Sequence, residues 1–101
     1  MSRYAITGPA RRDLDDAADY LEFEYGRRDL AIKFLRSMNA TFEKLARHPG
    51  LGRLRPEIPR NPQSFAARNY TIFYAQTAAG IEILRVLHQR RDIDAAFEEG
   101  E

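Results

Sequence analysis

The chain contains no cysteine. That excludes a disulfide framework, a thiolate metal site and a cysteine nucleophile. No stretch approaches the ~18 consecutive apolar residues that a membrane span needs. The opening Met1-Ser2-Arg3-Tyr4 lacks the apolar region of a signal peptide, so a cytoplasmic location is expected. Lysine is scarce: of 16 basic residues, only Lys33 and Lys44 are lysines and the rest are arginines. Internal repeats and low-complexity tracts are missing, and no tyrosine follows Tyr74.

What remains is an ordinary globular composition of 101 residues, 44% hydrophobic and 31% charged. That length fits a single domain over residues 1–101. A core this small leaves stability marginal unless a partner adds buried surface. The formal net charge of +1 conceals an uneven distribution. Residues 11–24 hold six acids against two arginines, whereas residues 47–91 hold eight arginines against two acids. Residues 92–101 carry five acids and no base. Arginine suits planar, bidentate contact with carboxylate or phosphate. The central basic region therefore calls for an anionic partner, either nucleic acid or an acidic protein segment.

The most apolar and β-branched run is Gly80-Ile81-Glu82-Ile83-Leu84-Arg85-Val86-Leu87-His88. It reads as a buried strand, with Arg90-Arg91-Asp92 directly after it. Strict alternation groups Arg85 with Ile81, Ile83 and Leu87. It groups Glu82, Leu84, Val86 and His88 on the other face.

Upstream, Tyr4 and Ile6 alternate with Arg3, Ala5 and Thr7 as a short first strand. Gly8-Pro9 breaks it, with Pro9 placed for a helix's first turn. Over residues 10–25, Ala10, Leu14, Ala17, Ala18, Leu21 and Tyr25 mark one helical face, and Gly26 stops the helix. A second helix is expected over 29–47, with Asp29 as N-cap and Ala31, Phe34, Leu35, Met38, Phe42 and Leu45 as its stripe. The short link between them implies an antiparallel hairpin. Residues 49–62, with four prolines and two glycines, read as an ordered surface loop. Residues 64–68 and 70–75 read as strands joined near Asn69, and 77–80 as a turn. Ile93, Ala96 and Phe97 suggest a short final helix over 93–99. The expected class is α+β, ordered β-α-α-β-β-β: a helical hairpin on one face of a small, mainly antiparallel sheet.

Five local patterns coincide in order and spacing. They are Tyr4-Ala5-Ile6-Thr7 with Ala10 and Asp13-Leu14; Ala31 with Phe34-Leu35; Leu45 with His48-Pro49-Gly50-Leu51-Gly52; Arg68-Asn69-Tyr70 with Ile72-Phe73-Tyr74; and Ile83 to His88 with Arg91-Asp92. Together they resemble the RelE/ParE toxin superfamily of bacterial type II toxin–antitoxin systems, and the ending resembles the ParE branch. The resemblance implies a toxin that poisons DNA gyrase by binding and a ParD-like antitoxin that wraps it. Nucleic acid would enter only through gyrase-bound DNA or the antitoxin. No membrane partner and no cofactor are implied. The RelE branch implies ribosome-dependent messenger RNA cleavage instead.

Metal-free RNA cleavage needs a base for the 2′-hydroxyl, a cation for the phosphate and an acid for the leaving oxygen. His88, Arg68 and Arg85, each expected on a strand of the meander, are the residues a nuclease would use. The tyrosine and lysines of RelE-like toxins are lacking, so no catalytic residue is expected in the ParE reading. His88 otherwise reads as a strand-end residue whose ring bonds neighbouring backbone. Arg85, inside an apolar run, needs a carboxylate. That is either a structural partner (Glu82 through a bend, or an acid of the first helix) or an acid of the antitoxin. Arg53, Arg55, Arg60, Arg68, Arg90 and Arg91 form the basic field expected to face antitoxin, gyrase or DNA, unless it is simply solvated. Tyr70 and Tyr74 share parity and offer stacking surfaces beside Arg68, or else sheet packing. Asp15 and Asp19, four apart, would need a third ligand to hold a divalent ion. A non-toxic partner in an autoregulated complex is the remaining alternative.

Overall fold

A computed structural model describes residues 3–89. The order is β1 (Tyr4–Ile6), α1 (Gly8–Tyr25), α2 (Arg28–Arg47), a 3₁₀ turn (Pro49–Leu51), β2 (Arg53–Leu54), β3 (Gln63–Ala67), β4 (Tyr70–Thr77) and β5 (Gly80–His88). The five strands form one sheet in the order β1-β5-β4-β3-β2. β1 runs parallel to β5 and the other neighbours are antiparallel. This is the expected α+β hairpin-on-sheet arrangement with one strand added. The segment 49–62 supplies that strand, β2, rather than running wholly as a loop. The expected helix over 93–99 lies outside the described residues.

Local chemistry sets the helix ends. Thr7 caps α1, its hydroxyl accepting from the Ala10 amide at 3.2 Å. Gly26 ends α1 in the left-handed region at φ 61°. Asp29 does not cap α2 as expected. The N-cap is Arg27, and Asp29 sits in the first turn, gripping the Arg27 guanidinium at 2.7 and 2.9 Å. The pairing competes for the carboxylate that a cap would use.

The core lies between the hairpin and one sheet face. Leu14, Phe34, Met38, Phe42 and Leu45 pack on Ile72, Tyr74, Ile81, Ile83 and Val86. The strict alternation expected in β5 fails at Leu84. Phe73 stands opposite Arg85, but the adjacent Tyr74 stands opposite Ile83, so Leu84 is a bulge residue. Past the bulge the faces exchange. Val86 joins Ile81 and Ile83 under the helices, while Leu87 packs with Phe73 and Ile58 in a second cluster.

β1 is too short to cover the whole edge of β5. It stops at Ile6, opposite Ile83. Thr7 and Asp13 then continue its hydrogen bonds. The Thr7 amide donates to the Ile83 carbonyl at 3.1 Å and the Thr7 hydroxyl to the Leu84 carbonyl at 3.0 Å. The Asp13 carboxylate accepts from the Val86 amide at 2.9 Å. It also accepts from the Arg85 guanidinium at 2.8 and 3.0 Å. Arg85 is thus bound to an acid of the first helix, not to Glu82.

The side chains of this pair are only 13% (Asp13) and 27% (Arg85) exposed, so loss of either partner leaves a poorly solvated charge. Asp13→Ala should lower unfolding free energy by about 2–4 kcal/mol. Arg85→Ala should cost less, because Asp13 keeps the Val86 amide. Urea unfolding midpoints measure both, and equal losses would contradict the edge-capping role of Asp13.

A candidate aromatic and cationic binding groove

The end of α1, the start of α2 and the β3–β4 turn converge on a groove of about 480 Å³. Tyr20, Leu21 and Tyr25 come from α1, and Leu30, Lys33 and Phe34 from α2. Arg68 and Asn69 come from the turn, with Tyr70 and His88 at the adjoining strand ends. The sheet register brings the last two together, because Tyr70 stands opposite His88. The Gln89 amide closes this end by donating to the Asn69 carbonyl at 2.9 Å.

The wall is aromatic. Phe34 and Tyr70 lie 5.2 Å apart between ring centres, and His88 meets Tyr70 edge-to-face at 5.4 Å. Tyr20 meets Tyr25 edge-to-face at 5.7 Å. Tyr25, expected on the buried stripe of α1, is 60% exposed, because the hairpin ends before anything packs over it. The rim is cationic. Lys33 is exposed on α2, and Arg68 is held by the Ser37 hydroxyl at 3.2 Å. Among the described residues no carboxylate lines the groove, although α1 is acidic, since Asp15, Asp16, Asp19 and Glu24 face solvent.

The sequence-derived candidates divide accordingly. Arg68, Tyr70 and His88 are brought together here. Arg68, expected on a strand, instead occupies the β3–β4 turn at φ 58°, where tight reversal demands a left-handed residue. Arg85, the third expected member, is not in the groove and grips Asp13. Tyr74 offers no stacking surface: it is 0% exposed. Its hydroxyl donates to the Pro49 carbonyl at 2.6 Å and accepts from the Gly52 amide at 2.8 Å. Arg55 pairs with Glu57 at 2.6 Å and reaches the Ser64 hydroxyl. Arg53 lies exposed on the short edge strand, and Arg60 sits in a turn at φ 72°. None of these three lines the groove. Arg90 and Arg91 lie outside the described residues. Asp15 and Asp19 acquire no third metal ligand among the described residues.

Sequence reasoning missed Tyr20, Leu30, Lys33 and Asn69 as groove residues, and read Leu21, Tyr25 and Phe34 only as helix stripe. Tyr20 falls off the apolar stripe of α1, and an aromatic residue off a stripe was the available signal.

Two of the five sequence patterns are joined by the Tyr74 hydroxyl, which ties the Pro49–Leu51 turn to β4. Comparison with known proteins decides what the arrangement belongs to. Residues 4–93 match the family described as ParE toxin of type II toxin–antitoxin system, parDE. The chain belongs to the ParE toxin family. It is 34% identical to Toxin ParE1 of Mycobacterium tuberculosis (strain ATCC 25618 / H37Rv) over 94 residues, covering 92% of this chain and 95% of that protein. It is also 34% identical to Toxin ParE1 of Caulobacter vibrioides over 89 residues, covering 88% of this chain and 91% of that protein. Membership in the ParE family makes this chain a toxin component and implies a cognate antitoxin. Among the described residues, no helix is long and apolar enough to cross a membrane.

The clasp at Tyr74 has a pH signature. Burial raises the phenol's pKa above its ordinary 10.0. The folded state therefore holds that proton more tightly than the unfolded chain, and stability falls as pH rises above 10. Tyr74→Phe should cost about 1–3 kcal/mol near neutrality, by leaving the Gly52 amide unpaired. It should also flatten the alkaline loss, a difference read by urea titrations across that range. Gly52→Ala should disrupt the same clasp, since its Cβ would lie 2.5 Å from the Tyr74 hydroxyl oxygen.

Proposed function

We propose that this ParE-family chain is a toxin that acts by binding, that its target is DNA gyrase, and that a ParD-like antitoxin neutralises it. The observation that carries the binding reading is the commitment of Arg85 to Asp13 at 2.8 Å. A nuclease needs a base, a cation and an acid converging on one phosphate, for which His88, Arg68 and Arg85 together are the expected set. Here Arg68 and His88 share the groove, while Arg85 serves the edge of β5. Family membership supports the toxin role and an antitoxin partner. Gyrase as the target would place the chain in the cytoplasm.

The groove is the proposed docking surface, with Arg68, Tyr70 and His88 as contact residues. Arg53, Arg55 and Arg60, which do not line the groove, would form a separate basic surface for gyrase and its DNA, and Arg90 and Arg91 are proposed for the same target. The co-location of Arg68, Tyr70 and His88 is the observation that favours a RelE-like ribonuclease as second reading.

Two measurements separate the readings. Purified protein should inhibit gyrase supercoiling and trap cleaved DNA. His88→Ala should retain growth inhibition in cells. Ribosome-dependent RNA cleavage without any effect on gyrase, abolished in His88→Ala, would transfer the assignment to the nuclease.

A further inference from the structure

Away from the groove, β2 leads into a tightly fixed loop. Residues 55–62 make two consecutive turns, each with proline at its second position. The Ile58 amide donates to the Arg55 carbonyl at 3.2 Å across Pro56, and the Asn61 amide to the Ile58 carbonyl at 2.9 Å across Pro59. The Arg55 amide closes the loop on the Pro62 carbonyl at 2.8 Å. Ile58 is buried against Phe73 and Leu87, and Pro62 is buried as well. The Arg55 side chain spans the base, from Glu57 at 2.6 Å to the Ser64 hydroxyl at 3.2 Å.

Arg60 stands at the third position of the second turn, with φ 72°. Glycine suits that geometry, and arginine is strained in it. Two other non-glycine residues among the described ones are left-handed. Asn61 is a type that tolerates the region, and Arg68 is held by the Ser37 hydroxyl. Arg60 is exposed, and among the described residues its side chain enters no hydrogen bond or ion pair. The described fold thus holds an unengaged guanidinium where glycine would suit the backbone better.

We propose that the Pro59-Arg60 turn is a contact point for the toxin's target, with Arg60 gripping a carboxylate on the target protein. This rests on the reading that the toxin acts by binding. A guanidinium takes a carboxylate bidentately, and a loop already fixed loses little freedom on docking. The surroundings select protein over DNA. Pro56 and Pro59 are exposed in the loop, and Leu54, on the strand before it, is 59% exposed. Arginine among apolar groups characterises protein interfaces. A DNA surface instead needs cations along successive phosphates, whereas here the Glu57 carboxylate is exposed and occupies Arg55.

Arg60→Gly and Arg60→Lys, made in the full chain, provide the test. Arg60→Gly should raise the thermal midpoint by roughly 2–6 °C, because the strain is released. The inducer level for half-maximal growth inhibition should nevertheless rise on the order of tenfold. Misfolding cannot produce a chain that is both more stable and less toxic. Arg60→Lys keeps the strain and the charge but not the planar fork, so it should keep the parent's midpoint and lose less growth inhibition. Full growth inhibition by Arg60→Gly overturns the proposal, and so does a midpoint below the parent's. A short duplex DNA, titrated by anisotropy against the chain alone, is the nucleic-acid probe. Binding of that duplex that depends on Arg60 moves the contact to phosphate and overturns the carboxylate assignment. The binding reading fails differently, through ribosome-dependent RNA cleavage by the unsubstituted chain. Undisturbed gyrase supercoiling by that chain strikes the named target and leaves the Arg60 contact standing.

Discussion

Asp13 holds the architecture together at its most exposed seam. The three residues of β1 give β5 a partner along only part of its edge. A buried strand with unsatisfied amides is costly, since each orphaned group forfeits its hydrogen bonds to water. The entering helix solves this with its own side chains. Thr7 serves at once as last ladder residue and as helix cap, and Asp13 reaches back to the strand two turns later. The same carboxylate fixes the Arg85 guanidinium, which would otherwise be a cation within an apolar strand. The carboxylate that seats α1 on β5 is also the one that holds Arg85, which does not line the groove.

Much of this was legible in the chain. The apolar stripes of Leu14, Phe34, Met38, Phe42 and Leu45 carried the helical period, and the β5 run carried the strand. Both signals arise from burial on one side of a regular element. The failures have local causes. β2 is two residues long and carries no period at all. Asp29 looked like a cap, yet the neighbouring Arg27 supplies a stronger partner for its carboxylate. Arg68 reads as a strand residue because nothing in its residue type announces a left-handed turn. Arg85 needed an acid, but a contact across 72 positions cannot be chosen from spacing alone.

The candidate site was legible in part for a similar reason. Arg68, Tyr70 and His88 sit on a hairpin and its neighbouring strand, so local register brings them together. Lys33, Phe34, Tyr20 and Tyr25 come from the helices, and their arrival depends on how the hairpin lies across the sheet. Tyr74 shows the opposite case. Its parity matched Tyr70, but the irregular segment folds over it, and the phenol becomes a tether for Pro49 and Gly52.

The bulge at Leu84 has a consequence for reading sequences of this kind. Along β5, Ile81, Ile83, Leu84, Val86 and Leu87 are buried, and Glu82, Arg85 and His88 are the partly exposed positions between them. The partly exposed sites thus fall three apart on a strand. An exposure profile of this segment, read without the fold, would mimic the signature of a helix, because one extra residue lets a single strand feed the cores on both faces of the sheet.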